Sequence, residues 1–280
     1  MRIVLTTCAA HPSLTASDAL LAAELQARGH EVEAVPWNGA EPRDWSSDDL
    51  VVLRSNWDYH RHIDRYETWL VAVDRSTARL VNPCDLVRWN CRKTYLLELG
   101  RRGAPIPATW IADAASPTSR PEWIDPARPV VAKPVVGASG DGVALVDPAD
   151  LDRAIDESGG PDGLVIQEFV TDVGGGEWSL VFLASEYSHA FQRVRTAGEA
   201  AADVAYRGIV QAATPDRGLV ALAGDLLGLL PTTPVYARVD LLSSARGPLV
   251  IELEVNEPSL RLDLHPDAPA RFADALLSHD

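Results

Sequence analysis

Of the 25 lysine and arginine side chains in this 280-residue sequence, only two, Lys93 and Lys133, are lysines. A lysine is a compact point charge on a flexible stem and suits a single phosphate oxygen, whereas the arginine fork clamps planar acids at two points. Two ammonium groups kept in so arginine-rich a chain mark candidate phosphate contacts. Lys133 lies in Ala132-Lys133-Pro134-Val135-Val136-Gly137-Ala138-Ser139-Gly140-Asp141-Gly142-Val143, a hydrophobic strand running into a glycine-rich loop. Such a loop lets backbone N–H groups approach phosphate oxygens closely. An unliganded glycine-rich hairpin fits the same residues. The G-x-x-x-x-G-K-[ST] phosphate loop does not, because here the lysine precedes the glycines.

Three further constellations carry chemistry. Tyr236-Ala237-Arg238-Val239-Asp240 and Ile251-Glu252-Leu253-Glu254-Val255-Asn256 put charged or polar groups at alternate positions. Strand periodicity therefore sets Arg238 and Asp240 on one face, and Glu252, Glu254 and Asn256 on one face of the other strand. Carboxylates on otherwise apolar strands repel unless a cation sits among them, and oxygen donors of this kind suit Mg²⁺. A solvent-facing polar edge is the plainer alternative. The apolar run Val165 to Glu168, continuing into Phe169 and Val170, precedes Gly174-Gly175-Gly176-Glu177. It reads either as an ordinary hairpin or as a backbone edge for a nucleobase with a carboxylate for ribose hydroxyls. Finally, Ser55-Asn56-Trp57-Asp58-Tyr59 follows an apolar strand, at the strand end where open α/β sheets place ligands. Substrate contact and simple packing both fit it. His11, His60 and His62 have no metal-ligand spacing.

The elements that must hold these groups read as α/β followed by α+β. Strands are expected at Arg2–Thr7, Glu31–Trp37, Leu50–Arg54 and Arg79–Val81. Helices are expected at Ser17–Arg28, capped by Ser17 and stopped by Gly29, and at Ile63–Asp74. No G-x-G-x-x-G follows the first strand, so dinucleotide binding is not supported there. One helix is expected from Val87 to Arg102 with Lys93 in its first half, then a loop from Ala112 to Arg128. Further strands fall at Pro129–Lys133 and Gly142–Val146. A helix capped by Asp147 should run to Glu157. Beyond it the chain is strand-rich from Leu164 to Val255, with one helix at about Pro215–Leu229. Cys8, Cys84 and Cys91 form no disulfide framework or zinc spacing, which points to a reducing cytoplasm. A net charge of −15 opposes nucleic acid or anionic membrane as partners but permits a local cationic pocket. No apolar run reaches the roughly 20 residues of a membrane span.

In this order the motifs resemble the ATP-grasp superfamily, in its glutathione-synthetase-like branch. The resemblance implies a Rossmann-like pre-ATP-grasp domain over residues 1–86, then a two-subdomain ATP-grasp fold over 87–163 and 164–280. It also implies ATP and Mg²⁺ as cofactors. It matches Lys93 and Lys133 to the phosphate lysines, and Ser139, Gly140 and Gly142 to the mobile lid. Glu168, Phe169 and Val170 match the adenine hinge, Glu177 the ribose carboxylate, and Asp240, Glu254 and Asn256 the magnesium ligands. Arg238 with Arg195 or Arg207 would stabilise the transferred phosphoryl group. Ala200 to Val204 departs from the expected pattern, so both latter arginines stand. Val52 to Tyr59 and Glu252 to Leu260 are similar to the group containing the O-ureido-D-serine cyclo-ligases. That implies a small amino-acid-derived substrate touched by Ser55, Asn56, Asp58, Ser259 and Arg261. An intermolecular carboxylate–amine ligase and a non-catalytic ATP-binding module are the other readings; a homodimer is compatible with each.

Overall fold

A computed structural model describes residues 1–40, 43–112, 120–158, 162–170, 176–194 and 208–278. The first sheet is parallel, β1 (Arg2–Thr7), β2 (Glu31–Pro36), β3 (Asp49–Leu53) and β4 (Arg79–Val81), in the order β2-β1-β3-β4. Every residue of β3 is buried, as a strand covered on both faces must be. Helices α1 (Ala16–Ala27) and α2 (Ile63–Asp74) provide the cover. Thr15, not Ser17, caps α1. Its Oγ1 accepts from Asp18 N at 3.0 Å, while Ser17 Oγ accepts from Leu262 N at 2.9 Å, so a distant segment has claimed the expected cap.

The single helix expected over 87–102 is two helices, α3 (Cys84–Asn90) and α4 (Tyr95–Arg101), with Lys93 in the turn between them. Tertiary hydrogen bonds explain the break. The Lys93 N–H, which an unbroken helix would send to Trp89, donates instead to Val135 O at 2.8 Å. Asn90 donates to Leu253 O at 2.8 Å and accepts from Val255 N at 3.0 Å.

The second sheet is antiparallel, β5 (Thr109–Ala112), β6 (Val130–Pro134), β7 (Ala144–Val146) and β8 (Leu164–Glu168), in the order β5-β8-β6-β7. The expected break at 163/164 therefore separates β8 from its own sheet. A 3-10 turn at Pro148–Asp150 leads into α5 (Leu151–Ser158), and Asp147 makes no side-chain cap bond. The third sheet is also antiparallel: β9 (Glu177–Leu183), β10 (Glu186–Val194), β11 (Ile209–Ala213), β12 (Tyr236–Ser244) and β13 (Gly247–Glu254), ordered β11-β10-β9-β12-β13. Helix α6 (Arg217–Leu227) lays Leu219, Ala223, Leu226 and Leu227 on it.

Helix α7 (Ala268–Leu277), absent from the expected elements, carries the chain back to α1 and shares a core with the first sheet. The units are thus stitched rather than strung in line. Asn82, just after β4, donates to Tyr236 O at 2.9 Å and Val255 O at 2.7 Å. The fully buried Tyr236 hydroxyl sits among the carbonyls of Leu53, Val81 and Asn256. Among the described residues no helix is long and apolar enough to cross a membrane.

Candidate active site

The register of β12 against β13 sets Arg238 opposite Glu254 and Asp240 opposite Glu252, and the pairing shifts immediately after Asp240. Such an irregularity beside a site re-aims side chains. Carboxylate oxygens of Asp240, Glu252 and Glu254 all come within 4.8 Å of one another. Arg238 clamps this group: it donates from Nε and Nη2 to Asp240, each at 2.9 Å, and from Nη2 to Glu254 at 2.6 Å. Ser179 Oγ, across on β9, donates to Asp240 Oδ1 at 2.7 Å.

From the opposite wall, Lys93 Nζ hydrogen-bonds Glu252, and Lys133 Nζ, buried on β6, lies 3.3 Å from Ile251 O. Burial would raise the Glu252 carboxyl, but the Lys93 and Lys133 charges hold it at about 2. Burial pushes the Lys133 ammonium down, with Glu252 countering and Lys93 adding to the fall. Burial lifts Glu254 to about 7 against the pull of Arg238. Glu177 rises to about 7 through burial and then Asp240, with Arg193 opposing from the facing strand. Acids raised this way mark a cluster short of positive charge, and three hard oxygen donors at this spacing fit a divalent ion such as Mg²⁺.

These groups face one cavity of about 410 Å³, within the range of small-molecule and cofactor sites. Its wall includes Lys93, Lys133, Ser139, Gly140, Glu168, Phe169, Val170, Glu177, Arg238, Asp240, Glu254, Asn256 and Ser259, all expected from sequence. Glu168 accepts from Arg246 Nη2 at 2.7 Å, so the β12–β13 hairpin reaches the strand end before Phe169 and Val170. The loop above is shaped by left-handed backbone at Ser139, Gly140 and Gly142, with φ of 54°, 64° and 75°. Gly142 does not itself line the cavity; a Cβ there would lie 2.7 Å from Pro134 Cγ. Asp141, at the loop tip, meets His60 at 3.3 Å and Arg61 at 3.2 Å from the first unit.

Several expected contacts are elsewhere. Asn56 is fully buried; its Oδ1 accepts from Thr6 Oγ1 at 2.7 Å and its Nδ2 donates to Tyr66 at 3.0 Å. Ser55 Oγ donates to Asp18 at 3.2 Å, and Asp58 accepts from Trp37 Nε1 and Asn38 Nδ2, each at 2.7 Å. None of the three lines the cavity, because internal donors and acceptors have taken their polar atoms. Their neighbours Trp57 and Tyr59 line it instead. Arg261 pairs with Asp263 at 2.8 Å and is also outside the wall. Asn256 lies past the end of β13, and its Oδ1 accepts from Tyr66 at 2.6 Å, which orients the amide at the cavity wall. Arg195, Arg207, Gly174 and Gly175 lie outside the described residues. Arg193, on the described part of the same segment, lines the cavity.

Sequence reasoning gave no site role to Arg193, Trp57, Tyr59 or Glu257, all of them in the wall. Alternation along the strand already sets Glu252 on the acidic face, though not among the magnesium ligands. Glu257, past the strand end, obeys no period.

A model of the D-cycloserine synthetase DcsG N-terminal domain matches residues 3–82, and an ATP-grasp domain model matches residues 92–257. The chain is 32% identical over 256 residues to the cycloserine biosynthesis protein DcsG of Streptomyces lavendulae, covering 83% of this chain and 84% of that protein. It is 29% identical over 163 residues to the ribosomal protein bS6–L-glutamate ligase of Salmonella paratyphi B, covering 56% and 53% of the two chains. The crystal structure of D-cycloserine synthetase DcsG superposes with a TM-score of 0.83 at 27% identity, over 99% of this chain and 98% of that one.

Proposed function

The chain belongs to the ATP-grasp family, and on that premise we propose that it activates a small amino-acid carboxylate as an acylphosphate and closes O-ureido-D-serine to D-cycloserine, the oxygen-bound nitrogen displacing phosphate from the acylphosphate and the carbamoyl group leaving by hydrolysis as carbon dioxide and ammonia. It is an ATP-grasp ligase related to DcsG, and its cofactors are ATP and Mg²⁺. The observation carrying the reading is that one cavity unites both lysines of the chain with the acids Asp240, Glu252 and Glu254. A module kept only for adenine binding has no need of this union. Likeness to DcsG over 84% of that protein supports the choice of ring closure.

In this reading, Lys93 and Lys133 bind phosphate oxygens and the 139–142 loop covers them. Glu168 to Val170 receive the adenine and Glu177 the ribose. Asp240, Glu254 and Asn256 hold magnesium, with Glu252 completing the acidic wall. Bound magnesium supplies neutralisation of the phosphate charge. Arg238 keeps Asp240 and Glu254 oriented and adds charge where the phosphoryl group transfers, with Arg193 as a second source. Catalysis is then positioning and electrostatic stabilisation, without a side-chain nucleophile.

Phosphate release is the direct test, with ATP, Mg²⁺ and a panel of amino-acid-derived carboxylates. Stimulation by O-ureido-D-serine alone is expected. A requirement for a second amine would move the reaction to intermolecular ligation, the reading that the match to the bS6–glutamate ligase favours. If ATP binds and no carboxylate stimulates release, the ligase reading fails.

A further inference from the structure

Glu257 is 8% exposed and lines the cavity, yet its carboxyl has no hydrogen-bond or ion-pair partner among the described residues. With no partner of their own and no place among the fully buried unpaired atoms, its oxygens open on the cavity, where a cation from outside the chain can pair with them. Two kinds of cation could supply the partner. A metal ion is the weaker choice, because the carboxylates that converge on one point are Asp240, Glu252 and Glu254, and Glu257 is not among them.

The segment carrying Glu257 is held firmly. Arg54 Nη2 donates to Pro258 O at 2.9 Å, and Arg238 Nη1 donates to Ser259 O at 3.2 Å. Arg54 is itself locked in the interior by Asp18 at 2.8 Å. Both guanidiniums near this segment are thus engaged with other acids and with backbone, and neither bonds the Glu257 carboxyl. Trp57, Tyr59 and Ser259 share the wall with Glu257. A ligand there meets a buried acid and aromatic faces, while Arg238 and the acidic cluster lie on the neighbouring strands.

We propose that Glu257 binds the ammonium group of the amino-acid substrate, and so selects amino acids over acids lacking the amine. This rests on the ligase reading above. It orders the substrate as a zwitterion, with its carboxylate toward the Arg238 side and its ammonium toward Glu257. Glu257 is in this sense a specificity residue placed one position beyond Asn256.

Calorimetric titration of the protein saturated with Mg²⁺ and ADP tests it, using O-ureido-D-serine and 3-(ureidooxy)propanoic acid, the same molecule without the α-amine. The wild-type protein should prefer the amine-bearing ligand by at least tenfold. Glu257→Gln should weaken that ligand about 30-fold, leave the des-amino acid within threefold, and leave ADP affinity within twofold. Glu257→Asp, which keeps the charge, should recover part of the loss and serves where the Gln variant does not fold. Equal weakening of both acids, or no weakening of either, overturns the assignment while the ligase reading stands. Failure of the wild-type protein to bind either acid overturns O-ureido-D-serine as the substrate, and this assignment with it.

Discussion

The two lysines illustrate how a residue's chemistry is set by its surroundings. Lys93 reaches the acidic wall from the turn between α3 and α4 and stays paired with Glu252. Lys133, buried on β6, is pressed toward its neutral form by burial, so it gains most from an arriving polyanion. Lys133→Arg keeps the charge but puts a rigid fork where a point charge is buried. Turnover of ATP in the ligase assay should fall at least tenfold, measured as kcat/KM for ATP; wild-type turnover would contradict the role given to Lys133. At this scale the sequence was most informative for groups that alternate along strands. Asp240, Glu252 and Glu254 were legible because a strand's period of two fixes which residues share a face. Ser55, Asn56 and Asp58 misled because their polar atoms are satisfied internally, by Asp18, Thr6, Tyr66, Trp37 and Asn38, which sequence spacing does not disclose.

Elements carry these groups to the cavity, and the loop between β6 and β7 shows what their backbone requires. Its glycines were visible in the sequence, and the left-handed conformations at Gly140 and Gly142 give the reason for them. Gly142→Ala would meet Pro134 as well as an unfavourable φ, so a loss of about 1–3 kcal/mol in unfolding free energy is expected. Urea denaturation measures it; an unchanged midpoint would mean that the loop takes another conformation. The break between α3 and α4 was not legible. Helical spacing continues through it, and the Lys93 N–H that the ladder would use goes to Val135 O instead, while the Asn90 side chain ties the end of α3 to Leu253 and Val255. The short strands β5 and β11 were missed because four or five residues beside loop-forming composition carry little periodic signal.

Over the whole molecule, α7 and the segment before it close the third sheet against the first unit. His189 on β10 lies at that junction, buried, with Nε2 2.7 Å from Leu260 O, Ser188 on its other nitrogen, and His265 and Arg271 nearby. Burial, then the neighbouring charges, lowers its pKa, against bonds to backbone that raise it. Its neutral form is therefore favoured in the fold. Stability from this group is complete above the ordinary histidine pKa of about 6.5 and is lost as pH falls below it, at no more than about 1.4 kcal/mol per pH unit. Unfolding free energies at pH 7.5 and 5.5 should differ more in the wild type than in His189→Gln; equal differences would remove His189 as the source. By itself the sequence determined the succession of a parallel α/β unit and strand-rich units, the lysines, the acidic strands and the glycine loop, because each is written in local periodicity or residue chemistry. Only the tertiary structure decided that Trp57, Tyr59, Arg193 and Glu257 join the cavity, that Asn56 and Arg261 do not, and that the C-terminal helix returns to the first sheet. Those outcomes depend on which partners distant segments bring to a buried polar atom, and no local pattern encodes that.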